Sequence, residues 1–256
     1  MILRPLETVP ATSAAFLPTW NVVERVQRET FEGCWMITQP SHAALAGEFA
    51  AKLTGVNLPN LDAPLIRAIA LHDAGWGILD AQAITESRSV RQGCPKSFIA
   101  CGVDTFVSAW EKSIDVAESV SPAGGYIVSR HFERIAKAHA SRVSEGDHHT
   151  AQRFQQTEAA RQAQMAAKQE RTPEELEALT DVLQFCDLLS LYVCCGAQQN
   201  VEFPEYFGTK ARLTVEADSY RLDPILIEPG TSFAVAALRH PATKEASGTQ
   251  IEIRIG

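Results

Sequence analysis

Four stretches of this 256-residue chain carry the apolar spacing of an amphipathic helix, and each places a histidine or an aspartate on its apolar face. On the first, which opens near Pro40-Ser41, His42, Leu45, Ala46, Phe49, Ala50 and Leu53 recur at i, i+3, i+4 and i+7. The second starts near Asp62 with Pro64 in its first turn. Leu65, Ile66 and Ile69 lead into the pair His72-Asp73, and Gly75 and Gly77 close the helix. The third follows Ser121-Pro122 and aligns Ile127, Val128, His131 and Ile135, with His139 on its margin. The fourth begins at Thr172-Pro173-Glu174-Glu175, a cap, a first-turn proline and a capping-box glutamate. Leu176, Leu179, Leu183, Asp187, Ser190, Leu191 and Cys194 then share a face, and Gly196 is a natural stop.

These positions restrict the fold because an uncompensated buried carboxylate costs several kcal/mol. Taken singly, each residue has a plainer reading: a core histidine with a hydrogen-bond partner, or an aspartate in a buried salt bridge. Taken together, His42, His72, Asp73, His131 and Asp187 on four inward faces are explained most economically by a divalent metal, as one or two ions. Nitrogen and oxygen donors without thiolate suit Mn, Fe, Co, Ni, Zn or Mg rather than a structural zinc.

Helical periodicity dominates residues 39–200, and both chain ends turn to strand signals. Trp20–Val26 and Gly33–Thr38 are short and rich in β-branched or aromatic residues, and residues 209–256 alternate with a period of two between turns at Asp223-Pro224, Pro229-Gly230 and Ser247-Gly248. The expected fold is mainly α: a helical metal-binding core over 39–200, with a small β-subdomain built from 1–38 and 209–256 packed on it. Residues 151–171 read as a solvated helix or a mobile connection.

Composition removes several functions. A net charge of −8 argues against general binding to nucleic acid or to anionic membranes. It leaves room for a small phosphorylated molecule, because a bound metal supplies positive charge locally. No run approaches the roughly 20 apolar residues of a membrane span. The opening Met1–Pro5 lacks the basic region and apolar run of a signal peptide, which points to the cytoplasm. The six cysteines form no CxxC pair and read as reduced, mostly buried thiols. Gly124-Gly125 is too short for a phosphate loop, and there is no GxSxG nucleophile elbow.

The order His42 … His72-Asp73 … Asp187 resembles the signature of the HD-domain superfamily, all-helical proteins whose H…HD…D residues bind a divalent metal and many of which hydrolyse phosphate esters. The resemblance covers residues 39–200. More narrowly, Gln39–Ala43, Ala70–Trp76 with Asp80, Val128–Phe132 and Asp187–Leu191 resemble a bacterial family of unknown function with a variant HD domain. The resemblance implies an HD-like helical fold and a metal-dependent phosphohydrolase acting on a phosphate ester or nucleotide. It makes His42, His72, Asp73 and Asp187 ligands of a first metal, with Asp73 bridging to a second held partly by His131. Asp80 would position water or protonate a leaving group, Trp76 would stack on a base or line the pocket mouth, and Arg130 with Arg134 and Lys137 would contact phosphate. Trp76 stands where many hydrolases of the superfamily carry a basic neighbour. A dinuclear site needs a further histidine, for which His139 or the His148-His149 pair is available. Two other readings stay open: a dinuclear iron oxygenase of HD type, and a non-catalytic metal- or nucleotide-binding sensor module. The oligomeric state is open as well.

Overall fold

The computed structural model describes residues 1–8, 11, 13–55, 58–89, 95–139, 145–242 and 248–256. In chain order the elements are β1 (Ile2–Pro5), β2 (Leu17–Pro18), α1 (Thr19–Arg28), β3 (Cys34–Ile37), α2 (Gln39–Lys52), α3 (Ala63–Ala70), α4 (Gly77–Ser89), α5 (Val103–Val120), α6 (Pro122–His139), α7 (Glu145–Ala166) and α8 (Pro173–Cys195). Five strands follow: β4 (Val201–Tyr206), β5 (Thr209–Val215), β6 (Tyr220–Asp223), β7 (Thr231–His240) and β8 (Gly248–Ile255).

Local chemistry sets the helix starts. Thr38 accepts from the Ser41 amide at 3.1 Å ahead of α2, and Asp62 accepts from the Leu65 amide at 3.0 Å ahead of α3. Ser121 accepts from the Gly124 amide at 3.0 Å at the start of α6. Thr172 and Glu175 exchange the two bonds of a capping box at the start of α8, and Gly196 ends that helix in a left-handed conformation at φ 68°.

The sheet overturns the expected fold class. Helix accounts for 55% and strand for 20% of the chain, and the strands form one eight-stranded mixed sheet curled into a half-barrel, in the order β1-β3-β7-β8-β6-β5-β4-β2. It is no small appendage on a mainly α, HD-like core. Strands from both chain ends interleave in it, with β3 pairing β7 and β2 pairing β4. Its inner face shares one continuous core with the helices: Phe49, Ile69, Ile127 and Leu183 belong to the same buried cluster as Val201, Leu213, Phe233 and Ile253. The period-two reading reached β5, β7 and β8 but passed over β4 and β6, and without those two the sheet looks marginal.

Three local expectations change too. Trp20–Val26 lies within the helix α1, because Thr19, Val22, Val23 and Gln27 bury one helical face; β-branched content masked a period of 3.6. The helix α3 stops at Ala70, so His72 and Asp73 occupy the turn after it, and a 3₁₀ turn at Ala74–Trp76 leads into α4. Gly77 therefore opens a helix instead of closing one. Residues 151–166 lie within α7, which seats Phe154 and Met165 in the interior.

The helix α8 runs through the middle of the molecule and packs against α1, α2, α6, β1 and β4. Every residue from Phe185 to Cys195 is buried. By length and composition α8 is apolar enough to cross a membrane, contrary to the reading that no such run exists, but 83% of its most apolar window is buried inside the protein. Its apolar surface is consumed by the core.

Candidate metal centre

Four elements deliver five polar side chains to one interior point. His42 stands in the first turn of α2, His72 and Asp73 in the turn after α3, His131 midway along α6, and Asp187 in the buried half of α8. His42 and His72 are fully buried, His131 is 1% exposed, and Asp73 and Asp187 keep 6% and 8%. Donor atoms of His42, His72 and Asp73 lie within 4.8 Å of one another, as do those of His72, His131 and Asp187. The two sets share His72.

Hydrogen bonds around the rings assign their tautomers. Ser190 Oγ donates to the Asp187 carbonyl at 2.8 Å, so it accepts from His42 Nδ1, also at 2.8 Å. His42 therefore turns a bare Nε2 toward Asp73 Oδ2, 2.8 Å away. His72 Nδ1 donates to the Ile69 carbonyl at 2.8 Å, which leaves its Nε2 facing Asp187 Oδ1 at 3.2 Å and Asp73 Oδ2 at 3.7 Å. In both cases a nitrogen lone pair points at a carboxylate oxygen. Such a contact is repulsive unless a positive charge, a proton or a metal cation, lies in it. His131 adds Nε2 at 3.8 Å from Asp187 Oδ2, and its buried Nδ1 has no hydrogen-bond partner among the described residues.

The electrostatics describe the same demand. Burial pulls His72 down, but the charges of Asp73 and Asp187 outweigh it and hold the imidazole at about 9. Burial takes His131 the other way, to about 4. Asp187 is raised by burial, yet the hydrogen bond and charge of His72, with His131 and His42, bring it to about 2. Two carboxylates and three imidazoles, closed from water and with two ring nitrogens oriented by a hydroxyl and a carbonyl, suit a hard or borderline divalent cation.

A family model described as a protein of unknown function, DUF3891, matches residues 26–231. That span takes in all five side chains and most of the chain. The chain belongs to the DUF3891 family. No curated protein and no solved structure matches it.

The remaining expected site residues of this DUF3891 protein stand elsewhere or are otherwise engaged. Asp80, on α4, binds the Met1 ammonium at 2.6 Å and accepts the Gln39 amide at 2.6 Å, which spends both carboxylate oxygens on joining the N-terminus to the start of α2. Trp76 is buried against Phe106, ring centroids 5.1 Å apart, in an aromatic group that runs through Trp110 to Phe132. That is packing, one residue along from His131. Arg130 bonds Glu177 at 2.8 Å and Glu133 at 2.6 Å; Arg134 bonds Asp181 at 2.7 Å, Glu177 at 2.6 Å and Gln184. Both guanidiniums are occupied by carboxylates. His148 and His149 are exposed on α7, outside the cluster, and the side chain of His139 lies outside the described residues. The sequence reading missed Ser190 as a participant. It stood on the same face as Asp187 three residues on, and that i, i+3 spacing was the available signal.

Proposed function

We propose that this protein is a metal-dependent phosphohydrolase acting on a phosphate ester or nucleotide. The observation that carries the reading is the pair of oriented Nε2 atoms, of His42 and His72, facing the buried carboxylates Asp73 and Asp187. A divalent cation held there lowers the pKa of bound water toward neutrality and polarises a phosphoryl oxygen. His42, His72 and Asp73 make one donor set and His72, His131 and Asp187 the other, so there is provision for one ion or two. The carboxylates balance a double positive charge. Ser190 and the Ile69 carbonyl hold the rings against rotation, and burial keeps bulk water from competing. Because Arg130 and Arg134 are tied to Glu133, Glu177 and Asp181, they leave the charge for a phosphate to the centre itself. The H…HD…D order of these residues resembles that of the HD superfamily, many members of which hydrolyse phosphate esters.

We place the protein in the cytoplasm. Cys186, Cys194 and Cys195 are buried free thiols, and burial raises Cys186 and Cys194 well above the ordinary thiol value. Unpaired cysteines of this kind suit a reducing compartment.

The test is turnover of nucleotides and generic phosphodiesters after loading with Mn, Co or Ni. Release of phosphate by the loaded protein, lost in Asp73→Ala, is expected. Two bound irons with oxygen consumption and no phosphate release would instead identify an oxygenase and contradict the proposal.

A further inference from the structure

We infer that Asp80 is a positioning residue of the metal centre: its carboxylate holds the first turn of α2, and so His42, against the segment that carries Asp73. The inference rests on the five clustered side chains being a metal centre. Two contacts join the same two stretches of chain. On α2, Gln39 and His42 stand one turn apart, at i and i+3. Facing them, the chain runs from Asp73 through the 3₁₀ turn Ala74–Trp76 into α4, with Asp80 in the first turn of that helix. Asp73 Oδ2 meets His42 Nε2 at 2.8 Å, and Asp80 Oδ2 accepts the Gln39 amide at 2.6 Å. The metal-ligand pair is one rung of a short ladder, and Asp80 supplies the other. Gly77 lies between the two carboxylates in the chain, and a Cβ on it would stand 3.9 Å from the Pro40 Cγ.

The start of α2 needs that second rung. The Ser41 amide donates to Thr38 Oγ1 at 3.1 Å, the His42 amide donates to the Thr38 carbonyl at 3.1 Å, and Pro40 has no amide hydrogen. The amide of buried Gln39 remains, and a side chain from another helix takes it. A carboxylate at this end also suits the positive pole of the helix. The other oxygen of Asp80 receives the Met1 ammonium at 2.6 Å, and the aspartate is only 2% exposed. With both oxygens engaged by charged or oriented donors, the carboxylate is fixed in place. Asp80 lies outside both donor sets, so it acts on the centre through α2. Ser190 sets the rotation of the His42 ring, and Asp80 sets where the His42 backbone stands.

Competitive manganese titration of the full chain tests this, with Asp80→Asn read in two backgrounds, wild type and His42→Ala. The asparagine keeps the size of the side chain, but its one acceptor oxygen serves one donor and its amide group opposes the other. Gln39→Pro is a second variant, since proline is natural in a first helical turn and lacks the amide that Asp80 accepts. At a temperature where circular dichroism shows the variants folded, manganese binding about tenfold weaker is expected for Asp80→Asn and for Gln39→Pro. In His42→Ala, which keeps the His72, His131 and Asp187 donors, adding Asp80→Asn is expected to change the affinity by less than about twofold, because its route to the metal is gone. Unchanged manganese affinity in the folded single variants overturns the positioning role and leaves the metal centre standing. An equal loss with and without His42 also overturns it, by making Asp80 a support of the whole fold. A wild type that binds no manganese overturns both.

Discussion

At the scale of single residues, the account turns on how two imidazoles are held. Ser190→Ala removes the acceptor for His42 Nδ1 while leaving all five donor side chains in place. Loss of such a supporting bond typically lowers metal affinity about 10–100-fold, and competitive metal titration of the variant should read that loss. The metal-free centre also has a definite pH signature. His72, held at about 9 against 6.5, stabilises the fold fully below about pH 6.5 and loses that contribution as pH rises through about 9. Asp187, held at about 2 against 3.8, contributes above about pH 3.8 and loses it as pH falls through about 2. His131, held at about 4 against 6.5, costs the fold stability on acidification from about pH 6.5 to about 4, because over that range only the unfolded chain takes up its proton. Chelator-treated protein should therefore be most heat-stable between about pH 6 and 7, and a melting temperature that climbs from neutral pH to pH 9 would contradict this. The five clustered residues were legible from spacing alone, since four apolar stripes each broken by a polar group must share an interior. The partners of Asp80 were not: the Met1 ammonium is 79 residues away, and nothing in the local pattern points to it. Arg130 and Arg134 were legible as cations but not as spent ones, because Glu177 and Asp181 lie on another helix.

Among the elements, α2 and α3 have to approach closely for His42 to meet Asp73. Gly47 makes that approach possible. A Cβ there would lie 2.5 Å from the Ala70 Cβ and 2.9 Å from its Cα, backbone that cannot swing aside. Gly47→Ala should cost about 2 kcal/mol by overpacking and should weaken metal binding as well, since α2 moves with His42 on it. Denaturant unfolding together with metal titration checks both; full affinity in a destabilised variant would uncouple the helix spacing from the centre. Helix starts were legible because caps and first-turn prolines are local chemistry. Helix ends and strand content were less so. The stripe Leu65, Ile66, Ile69, His72 continues smoothly through the point where α3 stops, since a buried turn also faces inward. The valines of α1 resemble a strand when only their type is weighed and a helix when their spacing is.

For the molecule as a whole, the half-barrel is the floor on which the metal-bearing helices stand. Phe49 of α2 meets Phe233 of β7 edge-on, ring centroids 4.7 Å apart, both in the common core. Phe233→Ala should destabilise the protein by about 3–5 kcal/mol. Its unfolding should remain one cooperative transition recorded alike by signals from helix and from sheet, because the two do not have separate cores. Separate transitions would mean that the sheet is an appendage after all. This integration was hidden in the sequence because pairing across a sheet is non-local: β1 pairs β3, and β3 finds β7 some 200 residues later, and no short window records it.

The most direct test of the central claim is the metal content of purified protein, by elemental analysis, for the wild type and for Asp73→Ala and Asp187→Asn. The account predicts one or two divalent ions per wild-type chain, and little or none in either variant when both remain folded. Folded variants that retain the wild-type metal content, or a wild type that takes up no metal and gains no thermal stability on its addition, would contradict it.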